Sequence, residues 1–128
     1  MKFQFQPKKK QSNHTPVVPS GLIAHTEKGY FYVKGNKRLK FVSDRAMKSW
    51  DLPIVETTEG MMINHQPTGV LGFRDGTLVK DISDGRIYLI SDSKRRHIID
   101  PDVLEWLDRE VISIGQKELF VHSEGERL

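Results

Sequence analysis

Apolar and polar positions in this chain alternate in short runs rather than in long helical stripes. Tyr30-Phe31-Tyr32-Val33 and Arg86-Ile87-Tyr88-Leu89-Ile90 are rich in aromatic and branched residues. Each meets a turn signal, Gly35-Asn36 or Ser91-Asp92-Ser93, and then a return run, Arg38-Leu39-Lys40-Phe41-Val42 or Arg95-Arg96-His97-Ile98-Ile99. The pattern predicts two β-hairpins. In the first return run Leu39 and Phe41 fall on one face and Arg38 and Lys40 on the other, which predicts one core face and one wet face. Short apolar strands, Leu22-Ile23-Ala24 and Thr77-Leu78-Val79, precede the hairpins.

A short helix is predicted after each hairpin. Asp100 suits the N-cap, Pro101 the first helical position and Asp102 the positive end of the dipole, with Val103, Leu104 and Leu107 on one face. In the earlier helix Ser43 takes the cap position, Met47 and Trp50 point inward, and Pro53 stops the helix. Trp50 and Trp106 are expected as core anchors, and Tyr30, Tyr32 and Tyr88 as strand packing. Ile54-Val55 with Met61-Met62-Ile63, and Val111-Ile112-Ser113-Ile114 with Leu119-Phe120-Val121, close the two runs.

The chain thus passes twice through one order of signals. Gly21 falls with Gly76, Gly29 with Gly85, Tyr32 with Tyr88, Lys37-Arg38 with Lys94-Arg95, His65 with His122 and Leu71 with Leu128, at an offset drifting from 55 to 57. One slip is expected before Gly29/Gly85 and the other at the hairpin turn, where insertions cost little. The predicted fold class is α+β, mainly β: two tandem repeats of β-hairpin plus short helix, packed together. Residues 1–20 form an extended N-terminal arm, 21–71 the first repeat, 72–75 a linker after the Pro67-Thr68-Gly69 hinge, and 76–128 the second repeat. A unit of about 50 residues is marginal alone, so the two are expected to share a core.

At 37% hydrophobic and 29% charged residues the chain has the composition of a folded domain with a wet surface. No run approaches the roughly 20 apolar residues of a membrane span, and no apolar run follows Lys2 as in a secretory leader. Without cysteine, disulfides and thiolate metal sites are excluded. Much of the net charge of +3 sits in Lys8-Lys9-Lys10, leaving the body nearly neutral. Phe3 and Phe5 alternate with Gln4 and Gln6, the pattern of a segment that adds a strand to a neighbour.

No catalytic constellation stands out. His65 and His122 share a repeat position but lack partners at metal-ligand spacing, so surface or capping roles are expected of them. Asp81, Asp84 and Asp92 fall where turns favour Asp and do not match a calcium loop. No phosphate cradle precedes a helix. The chain is therefore expected not to be an enzyme and to need no cofactor or metal. Lys37, Arg38, Lys40, Lys94, Arg95 and Arg96 place positive charge on both hairpins. That charge suits a polyanion or an acidic protein surface, and equally a defence of strand edges against aggregation.

Residues 75–128 carry a further signal. Asp75-Gly76-Thr77-Leu78-Val79, Arg86-Ile87-Tyr88-Leu89-Ile90, Lys94-Arg95-Arg96-His97-Ile98-Ile99-Asp100-Pro101, Glu118-Leu119, Gly125 and Leu128 follow one another in order. This resembles a small β-rich repeat of bacterial surface-associated proteins and tailed-phage virion proteins; residues 21–71 fit it more loosely and lack the Asp-Gly opening. The resemblance implies a structural module without catalytic residues. It implies a virion component of the neck, tail or capsid decoration, made in the host cytoplasm and assembling with other virion proteins in a symmetric oligomer, with no membrane contact. Phe3, Phe5, Lys8, Lys9 and Lys10 in the arm and the basic hairpin residues are the expected contacts. A binding module for cell-wall glycans or other polyanions is the alternative, and a nucleic-acid-binding accessory protein a third.

Overall fold

A computed structural model describes residues 18–128. The first half runs β1 (Ile23–Thr26), β2 (Gly29–Lys34), β3 (Lys37–Phe41), α1 (Asp44–Trp50), β4 (Ile54–Glu56) and β5 (Gln66–Leu71). The second runs β6 (Leu78–Asp81), β7 (Ile87–Ser91), β8 (Lys94–His97), α2 (Pro101–Leu107), β9 (Val111–Ile114) and α3 (Gln116–Leu119). The fold is α+β and mainly β. Two sheets, ordered β4-β1-β2-β3-β5 and β8-β7-β6-β9, repeat one wiring. Three antiparallel strands are followed by a helix, and the next strand returns parallel to the first.

The pairing aligns the halves residue by residue. Val33 donates its N–H to the Leu22 carbonyl as Ile90 does to Thr77, and Val42 donates to Leu71 as Ile99 does to Leu128. The offset is therefore 55 through β1/β6 and 57 from β2/β7 onward. Both extra residues lie in one place. β1 turns into β2 through Glu27-Lys28, whereas the Asp81 N–H bonds to Arg86 across residues 82–85. The hairpin turns Gly35-Asn36 and Asp92-Ser93 are both two residues long, since Lys34 faces Lys37 and Ser91 faces Lys94. The slip expected there is absent, and Gly29 matches Arg86 rather than Gly85. Tyr88 matches Phe31 rather than Tyr32, because Tyr88 stands opposite Val79 as Phe31 stands opposite Ala24.

A further difference concerns Pro67-Thr68-Gly69, which lies within a strand and not a hinge. β5 pairs parallel with β3 at the sheet edge, and its register shifts between Arg38 and Lys40. An edge beside an irregularity tolerates proline and glycine. In the second half one isolated bridge, Arg95 to Glu124, marks the same place. The 72–75 linker likewise contributes to the core, for Phe73 is buried.

Each sheet has a near face towards its own helix and a far face. On sheet A the near face carries Ile23 and Phe41, which pack with Met47 of α1 and, partly buried, Tyr32 and Trp50. The far face carries Ala24 and Val33, packed with Val18 and Met62. The Arg38 side of β3 is thus not the wet face expected of it. Arg38 is covered there beside the buried Phe31, whereas Lys40 on the same side is exposed.

The helix α1 begins at Ser43, whose hydroxyl accepts the Ala46 N–H, and ends at Asp51 in the left-handed conformation. While Met47 faces sheet A, Ala46 is fully buried in the second half's core with Phe73, Val79, Ile90, Ile114 and Leu119. The order of layers is far face A, sheet A, α1, sheet B, α2. Leu104 of α2 lies beside Ile87 and Ile98 on the near face of sheet B, as Met47 lies beside Phe41 on sheet A. No residue of α2 is fully buried. Trp106 is 81% exposed and so is not a core anchor. The 57-residue offset matches Trp106 to Ser49 and matches Trp50 to Leu107, which turns the Trp106 ring outward.

The β7–β8 turn offers a stability test. Asp92 and Ser93 both have positive φ, 57° and 64°, the geometry for which glycine is favoured at the second position. Ser93→Gly is expected to raise stability by about 0.5–1 kcal/mol, read as a higher midpoint in chemical denaturation.

Candidate interaction site

The basic hairpins are less free than their sequence implies. The Arg38 guanidinium donates to Glu59 at 2.9 Å and lies 4.9 Å from the centre of the Phe31 ring, with its side chain only 11% exposed. Hydrogen bonds from Arg38 and Thr26 hold the Glu59 carboxyl below its ordinary range. Arg95 donates to the His122 carbonyl and covers the Phe120 ring, while Arg96 donates from Nε to the Glu126 carbonyl at 2.9 Å. Lys37, Lys40 and Lys94 are exposed. Of six hairpin cations, the arginines hold the fold together and the lysines face solvent. Phe3, Phe5, Lys8, Lys9 and Lys10 lie outside the described residues.

A groove of about 410 Å³ on the far face of sheet B is lined by Asp81, Arg86, Arg95, His97 and Glu124 among others. Both signs of charge line it. Asp81 is buried, and the hydroxyl and N–H of Ser83 bond to its carboxylate and lower its pKa. The carboxylate thereby organises the longer β6–β7 turn, as an aspartate does in an Asx-turn. Among the described residues no three of His, Asp or Glu converge as a cation site, and no helix is long and apolar enough to cross a membrane.

His65 and His122 are buried and perform one task in both halves. His122 Nε2 accepts the Phe73 N–H at 2.9 Å, and His65 Nε2 accepts the Val18 N–H at 3.2 Å. Phe73 and Val18 stand three residues before Gly76 and Gly21, so each histidine clamps the chain as it enters its repeat. An accepting Nε2 leaves the proton on Nδ1, and His122 Nδ1–H donates to the Ser93 carbonyl at 2.7 Å. Burial lowers the His122 pKa and the Ser93 bond only partly opposes this. Room is tight here. A Cβ on Gly72 would stand 2.2 Å from His122 Nε2, which explains glycine at this position.

The joint between the halves has its own polar centre, which the sequence did not reveal. Glu118 of α3 accepts from Ser43 Oγ at 2.6 Å, from Arg45 Nη2 at 2.6 Å and Nε at 3.2 Å, and from the Gly115 N–H at 3.1 Å. Burial raises the pKa of this carboxyl, but the Arg45 and Ser43 hydrogen bonds outweigh it and the net shift is downward. Trp50 Nε1 donates to the Gly72 carbonyl at 2.9 Å, and Ser49 Oγ accepts the Arg74 N–H at 3.1 Å. One face of α1 is thereby fastened to the entry strand and to α3 of the second half. Only a Glu three residues after Gly115, a helix-start spacing, hinted at Glu118 in the sequence.

Exposed apolar side chains are spread over the body: Ile99 just before α2 and Trp106 near its end, Val55, Met61 and Ile63 on and after β4, Val70 on β5, Ile82 in the β6–β7 turn, and Phe120 and Val121 after α3. Comparison of the chain with family models, with curated proteins and with solved structures finds no match. The geometry defines the class alone: a mainly β, α+β protein of two like halves joined through a common helix.

Two outcomes test the joint. Glu118→Ala leaves Ser43, Arg45 and the Gly115 N–H without their acceptor and is expected to cost about 2–4 kcal/mol in denaturant unfolding. Because the folded Glu118 pKa is depressed, its contribution is complete above the ordinary value of 4.5 and is lost as pH falls through the folded value. The variant should show a shallower acid limb. For His122, folding favours the neutral ring, so stability falls as pH drops below 6.5 towards the depressed folded value. An NMR titration of its ring protons should give a midpoint below 6.5.

Proposed function

We propose that this chain is a non-enzymatic structural protein of a tailed-phage virion, placed in the neck, tail or capsid decoration and held by its N-terminal arm and repeat surfaces. The observation that carries the reading is where the buried polar groups are used. His65, His122, Asp81 and Glu118 are the groups whose burial would suit catalysis, and all four bind the protein's own backbone or side chains. Of the four, Asp81 lines a groove, and there its carboxylate is taken up by the Ser83 N–H and hydroxyl. What the body offers outwardly is exposed apolar side chains, Trp106, Ile63 and Ile82 among them, and lysines on the hairpins, which suits contact with other proteins. The likeness of residues 75–128 to a repeat of virion proteins adds the setting.

The exposed Lys37, Lys40 and Lys94 favour a second reading, a module that binds wall glycans or other polyanions. Removing residues 1–10 separates the two. The virion reading expects a truncated protein with an unchanged melting transition that no longer enters particles, measured by mass spectrometry of purified virions. Normal incorporation would count against the arm. Retention of the full chain on a polyanion column, abolished by salt and by Lys→Glu at positions 37, 40 and 94, would favour the second reading.

A further inference from the structure

One corner of the far face is closed in the first half and open in the second. In the first half Arg38 lies over the Phe31 ring, 4.9 Å from its centre, and donates to Glu59 at 2.9 Å, while the Thr26 hydroxyl donates to the same carboxylate oxygen. Both charged side chains are largely shut off from water, at 11% and 19% exposure. The residues in the same places one repeat later are Arg95, Tyr88, Gln116 and Asp81. The arginine and the aromatic ring are kept, but an amide stands where Glu59 supplies its carboxylate, and Gln116 Nε2 donates to Ser83 Oγ. Arg95 has no acid to hold it over Tyr88. It lies over the Phe120 ring instead and donates through Nη1 to the His122 carbonyl. The groove of about 410 Å³ opens at this corner, above Tyr88 and His97, whose ring centres are 5.3 Å apart.

The groups around the groove fix the chemistry of what it takes. Tyr88 is only 8% exposed and lines the groove, yet among the described residues nothing hydrogen-bonds its hydroxyl. A phenol buried to that extent usually has a partner. Two of the acids in the groove are already engaged: Asp81 accepts the Ser83 N–H and hydroxyl, and Asp84 accepts the Arg86 N–H at 2.9 Å and lies 3.7 Å from Arg86 Nε. Arg95 and Arg127 are then opposed by Glu124 alone, so the unpaired charge is positive. From this we infer that the groove receives a carboxylate from outside the chain, the side chain of a glutamate or aspartate in a partner protein, which takes on Arg95 the place that Glu59 holds on Arg38. Arg95 keeps Nε and Nη2 for it, the fork that pairs with a planar carboxylate, and Arg45 holds Glu118 through the same two atoms. The Tyr88 hydroxyl supplies a further donor. A long polyanion fits this groove poorly, because Asp84 and Glu124 line it too. The inference rests on the reading of the chain as a protein that contacts other proteins, and it does not need the virion setting.

The test titrates the isotope-labelled full chain with the blocked peptide acetyl-Ala-Glu-Ala-amide at constant ionic strength, followed by NMR. Saturable shifts are expected at the Arg95 Nε–H, the Gln116 side-chain amide and the Tyr88 ring, with a dissociation constant on the order of 1 mM, as suits a single charge-assisted contact. The matched glutamine peptide should produce none. Two variants at exposed positions then probe the groove. Gln116→Glu supplies from within the carboxylate that the first half has, and should weaken the peptide at least about tenfold while moving the Arg95 Nε–H signal as the peptide moves it in the parent. Arg127→Ala should weaken the peptide as well, and both variants should keep the parent's melting transition. No shift up to about 20 mM peptide would overturn the inference. So would equal shifts with the glutamine peptide or with inorganic phosphate, or binding that neither variant alters. Shifts confined to Lys37, Lys40 and Lys94 would assign the contact to the hairpin lysines and equally overturn it. Absence of the protein from phage particles, by contrast, would sink the virion reading and leave this one standing.

Discussion

The structure depends on one seven-residue helix that serves two cores at once. A helix of that length has no stability of its own in water. α1 exists because adjacent residues on it are buried in opposite directions, Met47 into sheet A and Ala46 into sheet B. The small side chain at position 46 lets the second sheet approach closely. Glu118 then draws Ser43 and Arg45 to α3, and Trp50 reaches the Gly72 carbonyl. Neither half, about 50 residues long, would bury enough apolar surface alone.

Buried polar groups make the arrangement specific. An apolar joint between two twisted sheets tolerates sliding, whereas a histidine that must meet one N–H does not. His122 fixes the strand entry at Phe73, and the Gly72 backbone passes so close to the ring that no side chain fits. His65 does the same for Val18. These clamps explain why a histidine recurs at this place in both halves. They also couple the fold to pH through His122, because a protonated ring loses its acceptor.

The cations on the hairpins divide by chemistry. Arginine's planar fork suits stacking on an aromatic ring while donating to fixed acceptors, and Arg38 and Arg95 do this over Phe31 and Phe120. Lysine at Lys37, Lys40 and Lys94 stays in water. The positive surface is thus thinner than the Lys-Arg doublets imply, and any polyanion contact would rest on lysines. The exposed apolar residues, among them Ile63, Ile82 and Trp106, are the larger departure from an ordinary surface.

Much was legible in the sequence by itself. Alternation in β2, β3 and β7, the Ser43 and Asp100 caps and the Asp92-Ser93 turn are local patterns, and local sterics and hydrogen bonding decide them. The recurring order of strands and helix was also legible, because it is written in the order of turn and apolar signals. Its exact register was not. Tyr32 and Tyr88 look alike, but pleat register is set by which residue faces Ala24 or Val79 across the sheet. The strand at Pro67-Thr68-Gly69 was hidden because an edge pairing to β3 outweighs poor propensity. Trp106 looked like a core residue, since helical spacing gives a face but not what lies against that face. Only the tertiary structure decided the roles of Glu118, Arg45 and Phe73. Each acts on a partner more than 40 residues away in the chain, and contacts of that span leave no local pattern to read.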